Sequence, residues 1–309
     1  MHCNGLFCLL GVLFFRNIVA FHPFRAIGNK MGIGATAVKS SHDDKNTETF
    51  SSAFLLADNE QQCQKEIRTA LIVLNYPIPA KSLLLNHLWK TSCIRIAADG
   101  GANRLYEFSK ELIPDRIRGD LDSLEPKVRD FYESHKVSIE RDSCQDTNDL
   151  DKALQILDKQ TIDRVVIYGA FGGRFDQEMA SFAALYKWAP RFNDQLYLYS
   201  DETCALLIPA GRECEIRLPF HDTYNLEEEG STRNVEQDIG EGPTCGLIPL
   251  GCRCESIKTS GFQWDLDGSV PLEFGGLVSS SNRIMKPTVS VFASHPVVFT
   301  ASIESKSSI

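Results

Sequence analysis

Carboxylates and cations gather around glycine-rich turns in three short stretches of this chain: Arg118-Gly-Asp120-Leu-Asp122-Ser123, Asp146-Thr-Asn-Asp149-Leu-Asp151-Lys152 and Gly172-Gly-Arg174-Phe-Asp176-Gln177. That mixture suits a metal-bound polyphosphate, because a hard cation takes a few carboxylate oxygens and keeps waters and substrate phosphates as its other ligands. If the segment after Gly119 is extended, Asp120 and Asp122 point to one side, and their mutual repulsion calls for a cation. A solvated surface turn is the plainer alternative. Asp146, Asp149 and Asp151 surround the expected start of a helix, where acids also complement the helix dipole. Lys152 beside them can meet phosphate oxygens as a point charge.

Two further turns belong to the same chemistry. Asp99-Gly100-Gly101-Ala102-Asn103 closes an expected strand and opens a helix, so Asp99 either faces a pocket at the strand's carboxyl end or caps the helix. Residues 169–177 pass from a strand end through Gly172 and Gly173 to a helix start, where exposed backbone N–H groups and Arg174 form an anion cradle. Neither a Walker A loop nor a G-x-G-x-x-G fingerprint is present. The residues by themselves specify magnesium and phosphate and no more.

The elements that must hold these turns follow from hydrophobic periodicity. Expected strands at 70–74, 93–98, 137–140 and 164–168 alternate with helices at 81–89, from 102, at 127–134, at 149–158 and from 175 to Pro190, a pattern that implies a parallel sheet. Leu150, Ala153, Leu154 and Leu157 form one helical stripe, and Phe175, Met179, Phe182 and Tyr186 another; both are read as core. Beyond about residue 195 come short apolar runs at 196–199, 205–208, 214–218, 246–250, 256–259, 289–292 and 297–301, suggesting a β-sandwich or barrel-like part. Residues 222–241 carry seven acids against Arg233 alone and read as a solvated insertion. The expected domains are 60–195 and 196–309.

Composition narrows the classes. The 309 residues are 43% hydrophobic and 24% charged, long enough for two modest cores. A net charge of −9 argues against nucleic acid and favours a cationic small molecule. The ten cysteines form no disulfide framework or zinc spacing, and the seven histidines are scattered, which leaves the chemistry to carboxylates and a metal. The apolar run at 5–15 is too short for a stable membrane span and resembles a signal core. Residues 1–42 hold four basic residues and no acid, so they read as a plastid or mitochondrial leader, or as sequence ahead of a true start at Met31, which would leave the protein cytoplasmic.

In their order, Asp99-Gly-Gly-Ala-Asn-Arg, Gly119-Asp-Leu-Asp-Ser, Gln145-Asp-Thr-Asn-Asp149 and Gly172-Gly-Arg-Phe-Asp-Gln resemble the eukaryotic thiamine pyrophosphokinases. Cys245-Gly-Leu-Ile-Pro-Leu-Gly251, Thr259-Ser-Gly-Phe-Gln-Trp264 and Leu277-Val-Ser-Ser-Ser-Asn282 extend the resemblance to about residues 65–305. It implies a Rossmann-like parallel α/β domain followed by a β-rich domain, and transfer of diphosphate from ATP to the hydroxyl of thiamine. Asp120, Asp122 and Asp149 would hold magnesium, with Asp99 beside them. Lys152, Gly172, Gly173, Arg174, Asp176 and Gln177 would serve the ATP phosphates. Trp264, Ser280, Ser281 and Asn282 would bind thiamine, and the family's homodimer would bring Trp264 to a partner's site. Asn148 and Asp151 depart from the family's usual residues. A non-catalytic thiamine or nucleotide sensor, or a diphosphotransferase for another alcohol, are the alternatives.

Overall fold

The computed structural model describes residues 48–51, 67–218 and 239–305; the expected leader at 1–42 and residues 222–238 of the acidic insertion lie outside them. Strand β1 (Glu48–Ser51) precedes the α/β half. There, β2 (Thr69–Val73), β3 (Ile94–Ala98), β4 (Arg116–Gly119), β5 (Ser138–Arg141), β6 (Arg164–Tyr168) and β7 (Leu196–Tyr199) pair in parallel in the order β7-β6-β2-β3-β4-β5. The chain runs outward from β2 to β5 and then returns to the other side of β2, which makes the β2–β6 boundary a topological switch point.

Every residue of β2 and β6 is buried, as expected of strands covered on both faces. On one face Leu71 and Val73 pack with α1 (Leu83–Thr91), α2 (Gly101–Phe108) and α3 (Pro126–Ser134); on the other Ala70 and Ile72 pack with α4 (Asp149–Leu157) and α5 (Phe175–Trp188). Local signals start the helices. The Ser82 hydroxyl accepts from the Leu85 N–H ahead of α1, Pro126 opens α3, and Asn148 accepts from the Asp151 N–H ahead of α4. Asn148 therefore keeps the capping role a threonine would have.

The β-rich half does not form a separate sheet. Antiparallel strands β8 (Thr203–Ile208), β14 (Val297–Ser305), β10 (Ile239–Ile248) and β12 (Ser279–Arg283) continue from β7, giving ten strands in one sheet. A second sheet, β1-β9-β13-β11, is built with β9 (Glu213–Arg217), β13 (Thr288–Ala293) and β11 (Ile257–Ser260). Cys204, Leu206 and Ile208 share a core with Cys214, Ile216, Val289 and Val291 between the sheets, so this half is a sandwich. That core is continuous with Leu71 and Val73 of the α/β half instead of standing alone.

The expected stripe of α5 is corrected. Its buried positions are Ser181, Ala184, Leu185 and Trp188, while Phe175 is 72% exposed. The helix presents small residues to the sheet because they allow close approach, and Phe182 and Tyr186 sit at the margin of the core. Strands β4 and β12 escaped the pattern, since Arg-Ile-Arg-Gly and Ser-Ser-Ser-Asn-Arg hold almost no apolar residues. Of the seven described cysteines, four are buried. No helix among the described residues is long and apolar enough to cross a membrane.

Glu241, counted from the sequence with the solvated acids, lies buried in β10. The Tyr199 hydroxyl donates to its Oε1 at 2.6 Å, and its Oε2 has no partner. Burial pushes the carboxyl from 4.5 up to about 8, against the opposing pull of the Tyr199 hydrogen bond. An acid that stays protonated in the fold but ionises freely in the unfolded chain destabilises the fold as pH rises between those two values. Wild-type thermal stability should therefore fall from pH 5 to 8, and Glu241→Gln should flatten the fall. Parallel melting curves for the two proteins would refute this.

Candidate active site

Four turns meet at the carboxyl ends of the parallel strands. After β3 comes Asp99, after β4 Asp120, at the start of α4 Asp149, and after β6 the glycine turn at 169–173. Asp99 has φ +43 and is followed by Gly100, the residue before α2, where no side chain caps the helix. The capping alternative is thus set aside. The Asp99 Oδ2 accepts from the Ser123 N–H at 3.3 Å, whereas its Oδ1 is buried without a partner. Burial, reinforced by the like charges of Asp149 and Asp120, raises this carboxyl above its ordinary range; the bonds from Ser123 and the Gly100 N–H oppose the rise.

One oxygen from each of Asp99, Asp120 and Asp149 lies within 4.8 Å of the others. Lys152, 2% exposed, places its Nζ 3.3 Å from Asp149 Oδ1 and 4.0 Å from Asp120 Oδ2. Three carboxylates against one ammonium leave two negative charges. Together with the orphaned Asp99 oxygen, that donor set fits a divalent cation with oxygen preference.

The grouping differs from the one the sequence suggested. Leu121 has φ +64, so residues 120–122 turn instead of extending, and the i, i+2 argument fails. Asp122 is exposed, accepts from the Ser123 hydroxyl at 3.0 Å, and stands outside the group, with Asp99 in its place. Asp146 is also exposed and outside it. Asp151 faces away, accepting from Trp188 Nε1 at 2.5 Å and Lys187 Nζ at 2.9 Å, which ties α4 to α5.

Buried and half-buried polar side chains hold the acids in register. Asn103 Nδ2 donates to the Ser123 carbonyl at 2.7 Å and its Oδ1 accepts from the Glu125 N–H at 3.1 Å, fixing the turn that carries Asp120. Arg118 Nε donates to the Lys152 carbonyl at 3.1 Å, while its other nitrogens pair with Glu140 and Asp142. A Cβ at Gly119 would lie 2.6 Å from the Asp99 Cβ and 3.0 Å from Asp149 Oδ1. Only glycine lets the three acids approach so closely.

The glycine turn is open. Gly172 and Gly173 have φ +84 and +74, and the Gly172 N–H meets Glu178 Oε2 at 3.3 Å. Arg174 pairs with Asp176 at 3.1 and 2.5 Å, both exposed, and each holds the other in its charged form. Gln177 is exposed in the first turn of α5. Tyr76, which sequence reading passed over, lies under this turn: a Cβ on Gly172 would be 2.5 Å from its hydroxyl. Asn75 likewise lies against Gly100 and accepts from Arg104 Nε at 2.9 Å. Asn75 and Tyr76 follow β2 at the switch point, which was the available signal.

In the sandwich half Trp264 is 57% exposed. Ser280 and Ser281 are exposed on β12, Ser281 with φ +55, while Asn282 is buried.

With this geometry in view, family models match the chain in two places: thiamin pyrophosphokinase, catalytic domain, at residues 85–198, and thiamin pyrophosphokinase, vitamin B1 binding domain, at 232–298. Thiamine pyrophosphokinase 1 of Arabidopsis thaliana is 34% identical over 274 residues, covering 82% of this chain and 92% of its own. The chain belongs to the thiamine pyrophosphokinase family. Thiamine pyrophosphokinase 1 of Oryza sativa subsp. japonica is 32% identical, covering 76% of this chain and 87% of its own. The solved structure of thiamin pyrophosphokinase from Candida albicans superposes with a TM-score of 0.66 at 26% identity, covering 87% of this chain and 96% of that one. The thiamine pyrophosphokinase catalytic match contains the three clustered acids and the glycine turn, and the B1-binding match contains Trp264 and Asn282.

Proposed function

We propose that this protein transfers diphosphate from ATP to the hydroxyl of thiamine, giving thiamine diphosphate and AMP. The observation that carries the reading is the close group of Asp99, Asp120 and Asp149, built at the carboxyl ends of β3 and β4 in a chain that matches both halves of the family. Asp99, Asp120 and Asp149 would hold a magnesium ion, which when bound screens the charge of the transferring diphosphate. Lys152 donates to Asp149 Oδ1 at 3.3 Å, stands 4.0 Å from Asp120 Oδ2 as an ion pair, and has ammonium hydrogens left for a phosphate oxygen. Arg174, Gln177 and the N–H groups of Gly172 and Gly173 receive the remaining phosphate oxygens, Asp176 orients Arg174, and Glu178 gives up its bond to Gly172.

The bond that forms joins the thiamine hydroxyl oxygen to the β-phosphorus; the bond that breaks joins that phosphorus to the oxygen leading to the α-phosphorus. Asp120, half-buried beside the enclosed Asp99, is our choice for the carboxylate that takes the hydroxyl proton. Catalysis is then positioning and charge stabilisation, the usual pattern of phosphoryl transfer. Trp264 offers the thiazolium an aromatic face, and Ser280 and Ser281 offer hydroxyls to the pyrimidine.

A second copy of the chain is part of this reading: Trp264, Val270, Phe274 and Met285 are large apolar side chains left exposed on the sandwich half. Sedimentation should give twice the chain mass. The activity itself is tested by incubating the protein with ATP, magnesium and thiamine. AMP should form one-for-one with thiamine diphosphate; ADP, or binding without turnover, would point to another transferase or to a sensor.

A further inference from the structure

Asn282 was grouped with the thiamine ligands by its place in the Ser-Ser-Ser-Asn run, yet its side chain has nothing left to offer a ligand. Its Oδ1 accepts from the Trp264 N–H at 3.2 Å and from the Arg283 N–H at 2.8 Å. Its Nδ2 donates to the Trp264 carbonyl at 2.9 Å and to the Ser279 hydroxyl at 3.4 Å. A primary amide has two acceptor sites and two donor hydrogens, and all four are used. The residue is 4% exposed.

We infer that Asn282 is a positioning residue that sets the indole of Trp264 for thiamine without touching the substrate. It grips both the N–H and the carbonyl of Trp264, so the peptide groups on either side of that residue are fixed. The other flank is fixed too. Asp265 accepts from the Phe262 N–H at 3.1 Å, the Gly261 N–H at 3.2 Å and the Thr259 hydroxyl at 3.0 Å, and the Gln263 N–H donates to the Arg283 carbonyl at 2.8 Å. An exposed aromatic ring on a backbone so thoroughly held is a preformed platform. Holding it in place before the ligand arrives removes an ordering cost from binding. Buried amides used in this way are expensive to disturb, because truncation leaves the Trp264 N–H and carbonyl unpaired.

The inference rests on Trp264 facing thiamine, and the experiment separates the two. Asn282→Ala, Trp264→Ala and the double variant are compared in the full-length protein for kcat and for KM of both substrates. Asn282→Ala should raise the KM for thiamine about tenfold, the scale of a lost cation–π contact, with kcat and the KM for ATP within about twofold of wild type. The double variant should be no worse than Trp264→Ala alone. In addition, iodide should quench the emission of Trp264 more strongly in Asn282→Ala, an effect that direct contact with substrate does not predict. Ser279→Ala, which removes only the weakest of the four bonds, gives a milder change in the same direction and serves if Asn282→Ala does not fold. Independent, multiplicative losses in the double variant, or unchanged quenching, would overturn the inference. An unchanged thiamine KM in Trp264→Ala would instead overturn the thiamine reading of this face.

Discussion

Asp99→Asn should reduce kcat/KM by about a thousandfold while raising the melting temperature of the substrate-free protein. The two effects share one cause. Asp99 sits among two other acids within 4.8 Å, with one oxygen buried and unpartnered. Removing its charge relieves like-charge repulsion in the empty fold, so the variant melts higher. In the loaded site the same charge is needed: at an effective dielectric near 20, a unit pair at about 4 Å is worth about 4 kcal/mol, or about three powers of ten in rate. The stabilisation that magnesium and ATP give to wild-type melting should shrink in the variant. A variant that loses activity but also melts lower would mean that Asp99 is structural and would remove it from the acid group. Trading stability for a charged site is common among enzymes, and a gain in stability with a loss of activity is its signature.

Gly119→Ala should be nearly as damaging, with no change of charge at all. The added methyl would be 2.6 Å from the Asp99 Cβ and 3.2 Å from its Cα, and 3.0 Å from Asp149 Oδ1. Backbone atoms cannot give way as a flexible side chain would, so the β3 and β4 turns must part. Overpacking of this kind costs about 1–3 kcal/mol of stability, and a displacement of about 1 Å at a reacting group costs about a hundredfold in rate. Folded protein with a kcat lower by that factor is the expected result, read by circular dichroism alongside AMP release. Wild-type kcat in Gly119→Ala would show that the three acids need not be close.

How much of this was legible beforehand depended on how local each determinant is. The stripe of Leu150, Ala153, Leu154 and Leu157 carried its own evidence, and all four are buried in α4. The turns after β3, β4 and β6 announced themselves through glycine beside acids. What failed were inferences that needed a dihedral angle or a distant partner. Asp122 was grouped with Asp120 on the assumption of extended backbone, and the left-handed turn at Leu121 undoes it. Asn282 shows its purpose only through Trp264, eighteen positions earlier in the chain. Glu241 follows a run of acids, and nothing local distinguishes it from them; the Tyr199 hydroxyl that receives it comes from a strand in the other half. Tyr76 belongs to none of the glycine-acid motifs, and its place shows only where the turn after β6 brings Gly172 against its ring.

The single sheet that passes from β7 to β8 has a further meaning. Because Leu198 pairs with Ala205 as directly as Ile167 pairs with Leu198, there is no seam at which the nucleotide half could be cut from the vitamin half. Separating them would bare the unpaired, buried edges of β7 and β8, the kind that captures other chains. The two halves are therefore obliged to fold, unfold and evolve as one object, and a change of substrate in this lineage would have to come from altered loops, since exchanging either half would break the sheet.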